Sequence, residues 1–486
     1  MTALVGLLLL LLPGTTSAHA FGQTYVLPLP FWMYAFTASA ALALSFVVTG
    51  YFVTAKDAVR NVRTLDVGGM LWARGGLLGV LRALSVALLV LTLLTALFGT
   101  PNPFANFSVT FFWIIFVLGF AYVTALIGDV YHAINPWRGV CDLIEWRYPG
   151  AFRARVAYPA WLGYYPALAL YMGFIWVELF AHTSPRGLGL FLLAYTLINL
   201  GGARLFGRDA WFRYGEMFAV VLRLIAKMAP LEYTSDRLRL RQPFSGLLKE
   251  SADHPSLLLV VLFMLSSTAF DGVHQTLPWV HIFWKQIYPP LAAMIAQPYL
   301  FFVDIYYYWQ WSMLCLSPFF YLVVYLAFIW LMKRAAHSER SMRELALDFT
   351  FCLVPIAFVY HVTHYYTLLL TQAPAIVPLV SDPFGWGWNL FGTARQGPNP
   401  VIVPADWVWH TQVALILVGH VVSVYLAHAK ALELFPRTRR AVWSQLPMLV
   451  LMVAFTTAGL WILSLPIAAG QVQLPQTSAI GGLALT

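Results

Sequence analysis

Charge is what this chain most lacks. Only 10 % of its 486 residues are Asp, Glu, Lys or Arg, against roughly a quarter in an ordinary soluble domain. Two or three soluble domains of this length are thereby excluded. Cysteine is nearly missing too: Cys141, Cys315 and Cys352 lie far apart with no CxxC pair, which leaves neither a disulfide framework nor a thiolate zinc site. GxSxG, HExxH, a Walker loop and a dinucleotide fingerprint do not occur, so the nucleophile elbow and the phosphate cradle have no carrier. Barrel-type alternation of apolar and polar residues is absent. No internal repeat stands out, and an inverted-repeat transporter gains no support.

Apolar length fills the space that charge vacates. The chain is 60 % hydrophobic, with a mean hydropathy of +0.73, and its apolar runs match the hydrocarbon thickness when wound as helices. The fold class expected is all-α, a polytopic transmembrane helix bundle with about ten spans after a signal peptide. The spans read as 31–54, 77–98, 108–128, 158–180, 187–206, 255–274, 311–332, 345–371, 407–430 and 446–466. Residues 1–20 hold a Leu-rich core, then Pro13, Gly14 and small residues ending Ala18-His19-Ala20, a signal-peptide pattern. No Lys or Arg precedes that core, so an uncleaved N-terminal helix is the alternative. Residues 21–486 then form a single membrane domain.

The net charge of +9 does not point to nucleic acid, because the basic residues sit in the short connections. With the mature N-terminus outside, all of the 29 Lys and Arg except Arg186, Lys285 and Arg395 fall on the cytoplasmic side or just inside that end of a span. This asymmetry orients the bundle with both termini on the periplasmic side. Three connections are longer than turns. Residues 207–250 interrupt Trp, Phe, Val, Leu and Ile with Arg213, Glu216, Arg223 and Lys227, the pattern of an amphipathic helix on anionic headgroups or of one packed under the bundle. Periplasmic residues 275–310 are dense in Trp and Tyr, and 291–304 reads as a re-entrant or interfacial helix. Periplasmic residues 372–406 contain Gly385-Trp386-Gly387-Trp388, an interface-anchored loop or a lid.

Polar groups inside the spans fall at two depths. Near the periplasmic ends lie Glu178 and His182, Asp271 and His274, His361, His364 and His410. Imidazoles with carboxylates make a ligand set for a divalent metal and equally a set for proton transfer near neutral pH. The metal-ligand candidates are His361, His364, His410 and Asp271; the catalytic candidates are His364, Asp271, Glu178 and His274. Asp129, His132, Asn135, Asp348 and His428 form the cytoplasmic layer. There Asp129 and Asn135 suit helix capping before Pro136. His420 lies mid-span, as an interhelical hydrogen bond or a link in a proton path.

These residues, with Ser-Ala-His-Ala-Phe-Gly near the start, Asn-Pro-Trp-Arg, Ala-Phe-Asp-Gly, His-Tyr-Tyr-Thr-Leu-Leu, Ser-Asp-Pro-Phe-Gly-Trp-Gly-Trp and Leu-Ala-His-Ala-Lys-Ala-Leu, make the chain resemble the membrane subunit of the bacterial fenitrothion hydrolases. The resemblance runs over nearly the whole chain. Asp129, Asn135, Trp137, Asp271, Thr276, His364, Asp382, His420 and His428 carry its pattern; His361 and His410 are not placed in it. It implies hydrolysis of a neutral organophosphate triester at the phosphoryl–aryloxy bond, together with a second subunit. An apolar substrate of this kind would arrive through the bilayer. Metal-bound hydroxide would supply the nucleophile, with His364 and Asp271 as ligands or general base and Glu178 or His274 completing the set. The alternatives are a non-enzymatic subunit that binds a metal or relays protons, a permease subunit, and a haem- or copper-binding redox subunit.

Overall fold

The computed structural model describes residues 30–52, 65–69, 76–181, 184–233, 237–292, 294–295, 298–435 and 438–465. The expected signal peptide and His182 lie outside the described residues. Ten helices among them are long and apolar enough to cross a membrane, and the chain is an all-α polytopic bundle. They are α1 (Phe31–Phe52), α2 (Gly76–Phe98), α3 (Phe107–Ile127), α5 (Tyr165–Phe180), α6 (Pro185–Phe206), α8 (Pro255–His274), α9 (Pro298–Ala336), α10 (Val354–Gln372), α11 (Ala405–Leu434) and α12 (Thr438–Ser464). Two shorter helices, α4 (Pro136–Arg147) and α7 (Met217–Ala226), lie in the α3–α5 and α6–α8 connections.

Helix α8 is the axis. Its run from Leu257 to Leu265 is apolar on every face, the pattern of a helix enclosed by others. Accordingly 83 % of its apolar window is buried, against 11 % for α2. His254 caps it, with Nδ1 accepting from the Ser256 amide at 3.2 Å, and Pro255 takes the first turn, where its missing N–H costs nothing. Around it pack α5, α9 and α10. Ser266 and Ser317 pair their hydroxyls at 2.8 Å, a polar tie between α8 and α9 where lipid offers no hydrophobic drive for association. Helices α10 and α11 approach closely at Gly419, where a Cβ would stand 2.2 Å from Val359.

The connections separate into two faces. On the face that carries most of the basic residues, β1 (Leu65–Gly69), β2 (Leu231–Tyr233) and β3 (Arg237–Leu240) form an antiparallel sheet in the order β1-β3-β2. Arg138 meets Asp209 at 2.7 Å, Arg208 pairs with Asp142, and the Ser251 hydroxyl donates to Asp348 at 2.5 Å. On the opposite face, the amides of Thr100 and Phe107 bond the carbonyls of Phe384 and Pro383, joining the α2–α3 turn to the Gly-Trp-Gly-Trp loop. There Asp382 accepts from the amides of Trp386 and Gly387 at 3.0 and 2.7 Å.

Two expectations are sharpened here. Among the described residues of 291–304, those from Pro298 onward are the first turns of α9, one 39-residue helix, rather than a helix of their own. And of the two readings of 207–250, α7 takes the packed one: seven of its ten residues, from Met217 to Ala226, are buried. Its Phe218 ring packs on Phe112, Phe116, Trp137 and Phe174. An amphipathic period marks one apolar face but does not say whether lipid or protein covers it. Residues Thr110–Phe120 of α3 are wound as a π-helix, a wider turn than the α-helix, and Phe112, Phe116 and Phe120, four apart, stack in succession along it.

Candidate functional site

Asp271 sits in the last turn of α8, where the helix's own carbonyl dipoles disfavour a negative charge. Its partners come from α10. His364 Nε2 stands 2.8 Å from Asp271 Oδ2, and the Tyr365 hydroxyl donates to the same oxygen at 2.5 Å. Oδ1 faces His274 Nδ1 at 3.8 Å, too far for a hydrogen bond. The Asp271 side chain is 13 % exposed and that of His364 23 %. Helices α8 and α10 are neighbours, and the expected convergence of His364 and Asp271 is what the bundle builds.

Glu178 reaches the same place from α5. Its carboxyl lies beside the Tyr365 hydroxyl, and both line a cavity of about 70 Å³ together with Asp271 and His361. The His361 ring stands edge-on to Tyr365 at 4.9 Å and to Tyr122 at 6.1 Å. The remaining wall is apolar, with Phe174, Phe218, Met264 and Phe358. Two carboxyls, one imidazole and a phenol thus border one water-sized space, and a second imidazole, that of His364, joins them through Asp271, an acid–base cluster in a low-dielectric setting.

His274 and His410 are not part of it in the manner expected. His274 Nδ1 bonds the carbonyls of Asp271 and Phe270 at 2.9 and 3.2 Å, closing its own helix end, with its ring stacked on Phe270 at 5.4 Å. His410 is exposed and bonds the Asp406 carbonyl at 2.6 Å. The buried face of α11 runs through Val408, Trp409, Gln412 and Ile416, and the helical rotation carries residue 410 away from it. The expected ligand set of His361, His364, His410 and Asp271 is therefore not assembled. Among the described residues no group of three or more His, Cys, Asp or Glu is placed to hold a metal ion. Asp271 Oδ2 is occupied by its imidazole and phenol partners. A divalent ion does not fit these residues as they stand.

The second polar layer is built differently. Asp129 caps Val130–Ile134 by accepting from the His132 amide at 3.0 Å, and Asn135 caps α4 by accepting from the Arg138 amide at 3.0 Å. Asn135 then donates to Glu216 at 3.1 Å. Glu216 itself caps α7, accepting from the amides of Phe218 and Ala219 at 3.0 and 2.7 Å, and it accepts a further bond from the Tyr195 hydroxyl. Burial pushes its carboxyl above the usual range, and the four donors pull it back in part. His420 is buried on α11 with Nδ1 on the Ile416 carbonyl at 2.9 Å.

Sequence reading missed Tyr365 and the role of Glu216. Tyr365 had one signal, its place directly after His364, and Glu216 had another, an acid just ahead of the apolar run that becomes α7. No protein-family model matches the chain, and no curated protein and no solved structure matches it.

Proposed function

We propose that this chain is a membrane-embedded hydrolase of neutral phosphotriesters in which His364, held by Asp271, is the general base. The observation that supports the chemistry is the 2.8 Å contact of His364 Nε2 with a carboxylate that also takes the Tyr365 hydroxyl. In the neutral imidazole this contact selects the Nε2–H tautomer and leaves Nδ1 to accept a proton. Water gives a proton to Nδ1 as its oxygen attacks phosphorus, and the bond from phosphorus to the aryloxy oxygen breaks with its electron pair on the leaving aryloxide. Glu178 and His361 border the cavity that Asp271 and Tyr365 also line and carry the proton onward. The substrate class, the inner-membrane location with the basic face inward, and a second subunit come from the resemblance and the loop charges.

One observation favours a second reading, a proton relay in a non-enzymatic subunit. The cavity of about 70 Å³ beside Asp271 is of a size for water and smaller than the roughly 150 Å³ that admits a benzene ring. Purified protein in lipid nanodiscs, with and without a co-expressed partner, separates the two. Release of 4-nitrophenolate from a neutral nitrophenyl phosphotriester, lost in His364→Ala, is the expected result. No release, combined with His364-dependent proton flux in dye-loaded proteoliposomes, would replace the hydrolase by the relay. Reporter fusions after Pro400 and Arg439 should read periplasmic and cytoplasmic, and the reverse at either point would overturn the orientation.

A further inference from the structure

A second cavity, of about 250 Å³, lies on the other side of α3 from the acid–base cluster, walled by Phe111, Phe112, Phe116, Phe120, Trp137 and Leu192. We infer that it binds the ring of a neutral aromatic molecule and serves as the antechamber to the Asp271–His364 site, an inference that rests on the reading of that site as one acting on an apolar aryl substrate. Volume is the first ground. An apolar cavity of roughly 150 Å³ admits benzene; this cavity exceeds that size, whereas the one beside Asp271 at about 70 Å³ falls short of it. Of the two cavities that α3 lines, this is the one with room for a substrate's ring.

The walls choose an arene over an acyl chain. On the π-wound part of α3 the rings of Phe112, Phe116 and Phe120 stack in succession at 5.9 and 6.0 Å, and with Phe111, Tyr131 and Trp137 they put six rings on the wall beside its aliphatic side chains. Rings reward a planar guest with stacked and edge-on contacts beyond what buried area alone supplies. The guest is uncharged, because no charged side chain among the described residues lines the space. The Ser85 and Thr92 hydroxyls on the wall are spent on the Arg82 and Leu88 carbonyls, at 2.8 and 2.7 Å. The Tyr131 hydroxyl, buried without a hydrogen-bond partner among the described residues, offers the guest one neutral polar contact.

The two cavities are separated by a single layer of rings. Phe218 lines the cavity beside Asp271, stacks on Trp137 at 5.8 Å with planes 9° apart, and meets Phe116 edge-on at 5.0 Å. Phe174, on the wall of that same cavity, meets Phe112 at 6.3 Å. Rotation of Phe116 and Phe218 joins the spaces and lets a phosphoryl group reach the acid–base cluster while its aryl ring stays seated.

The test is photolabelling of the nanodisc-embedded protein with a trifluoromethyl phenyl diazirine, followed by peptide mapping. Labelling of the 111–120 and 131–137 peptides should saturate and be competed by excess 4-nitroanisole. Filling the cavity by Ile115→Trp, or independently by Leu88→Phe, should lower that labelling on the order of tenfold, as loss of fit in an apolar pocket does. Labelling that stays diffuse, or that neither filling variant changes, overturns the proposal. So does competition by a diazirine-bearing phospholipid acyl chain at equal or greater strength than by the arene. His364→Ala should leave the labelling intact, so saturable arene binding without turnover would remove the hydrolase while keeping the arene site.

Discussion

Two carboxylates are enclosed in this bundle under opposite terms. Glu216 has four donors, two backbone amides, an amide side chain and a phenol, which spread over both of its oxygens. Asp271 has two partners, and both approach a single oxygen. Its other oxygen has an imidazole nitrogen only at 3.8 Å, and the residue borders a cavity. A saturated acid is a rivet, since any change leaves several buried groups without partners. An acid with a free lone pair beside a water-sized space still has chemistry to offer. Coordination of the carboxylate separates structure from function here better than depth in the membrane does.

The largest expected effect is on the open acid. Asp271→Ala and His364→Ala should each cut hydrolysis about 10²–10⁴-fold, the usual worth of a positioned acid–base pair, while inserted protein stays near the wild-type amount. The double variant should be no worse than either single one, because residues acting as a unit are non-additive. Multiplying losses in single-turnover assays would show that the two do not share a site.

Glu216→Ala should do the reverse. Leaving four buried donors unmatched should cost on the order of 3 kcal/mol or more, visible as a lower unfolding midpoint in detergent, with unchanged activity per folded molecule. Its pH dependence follows from burial. The folded carboxyl titrates above the ordinary 4.5, so its contribution is fully present below that value and declines as pH rises toward the raised one. Glu216→Gln should flatten this slope, and an unaltered slope would dissociate the pH dependence from this group.

Asn135→Ala is a milder version. It removes one cap and one donor to Glu216 at about 1–2 kcal/mol, and should lower abundance more than specific activity. Normal abundance with abolished activity would transfer function to the second layer. Smallest is Glu250→Gln. The Lys227 ammonium holds the Glu250 carboxyl below its usual range across a 2.8 Å pair that is 66 % exposed on the Glu side, so solvent screens it to about 0.2–1 kcal/mol. That increment is present above the ordinary carboxylate pKa and is lost as pH falls through the lowered one. Equal midpoints for mutant and wild type near neutral pH would assign the pair no weight.

Much of the scaffold is legible in the sequence, because span length and hydropathy are local properties. All ten expected spans have a counterpart, and the caps at Asp129 and Asn135 are readable from short-range chemistry alone. The meeting of His364 with Asp271 is legible only as a conditional on α8 and α10 being neighbours. What stays hidden depends on which helix covers which face. The polarity of α7 is visible, but not that protein rather than lipid would bury it. His410 shares the depth of the other histidines, and only the facing of α11 shows that it turns outward. The three-stranded sheet pairs residues 65–69 with 237–240, a separation that no local pattern reveals.

Helix α9 also acts as a depth gauge. At 39 residues it is roughly 58 Å long, far more than the ~30 Å of hydrocarbon, so hydrophobic matching alone does not fix where it stands. Its markings are chemical. Tyr306, Tyr307, Tyr308 and Trp309 form one collar and Lys333 with Arg334 the other, and the 24 residues from Trp309 to Lys333 rise roughly 36 Å, close to the thickness of core plus interface. The turns ahead of the aromatic collar then stand clear of the hydrocarbon. Through the Ser317–Ser266 tie the gauge is read out on α8, and the level at which Asp271 sits is set by the collars of a helix further along the chain.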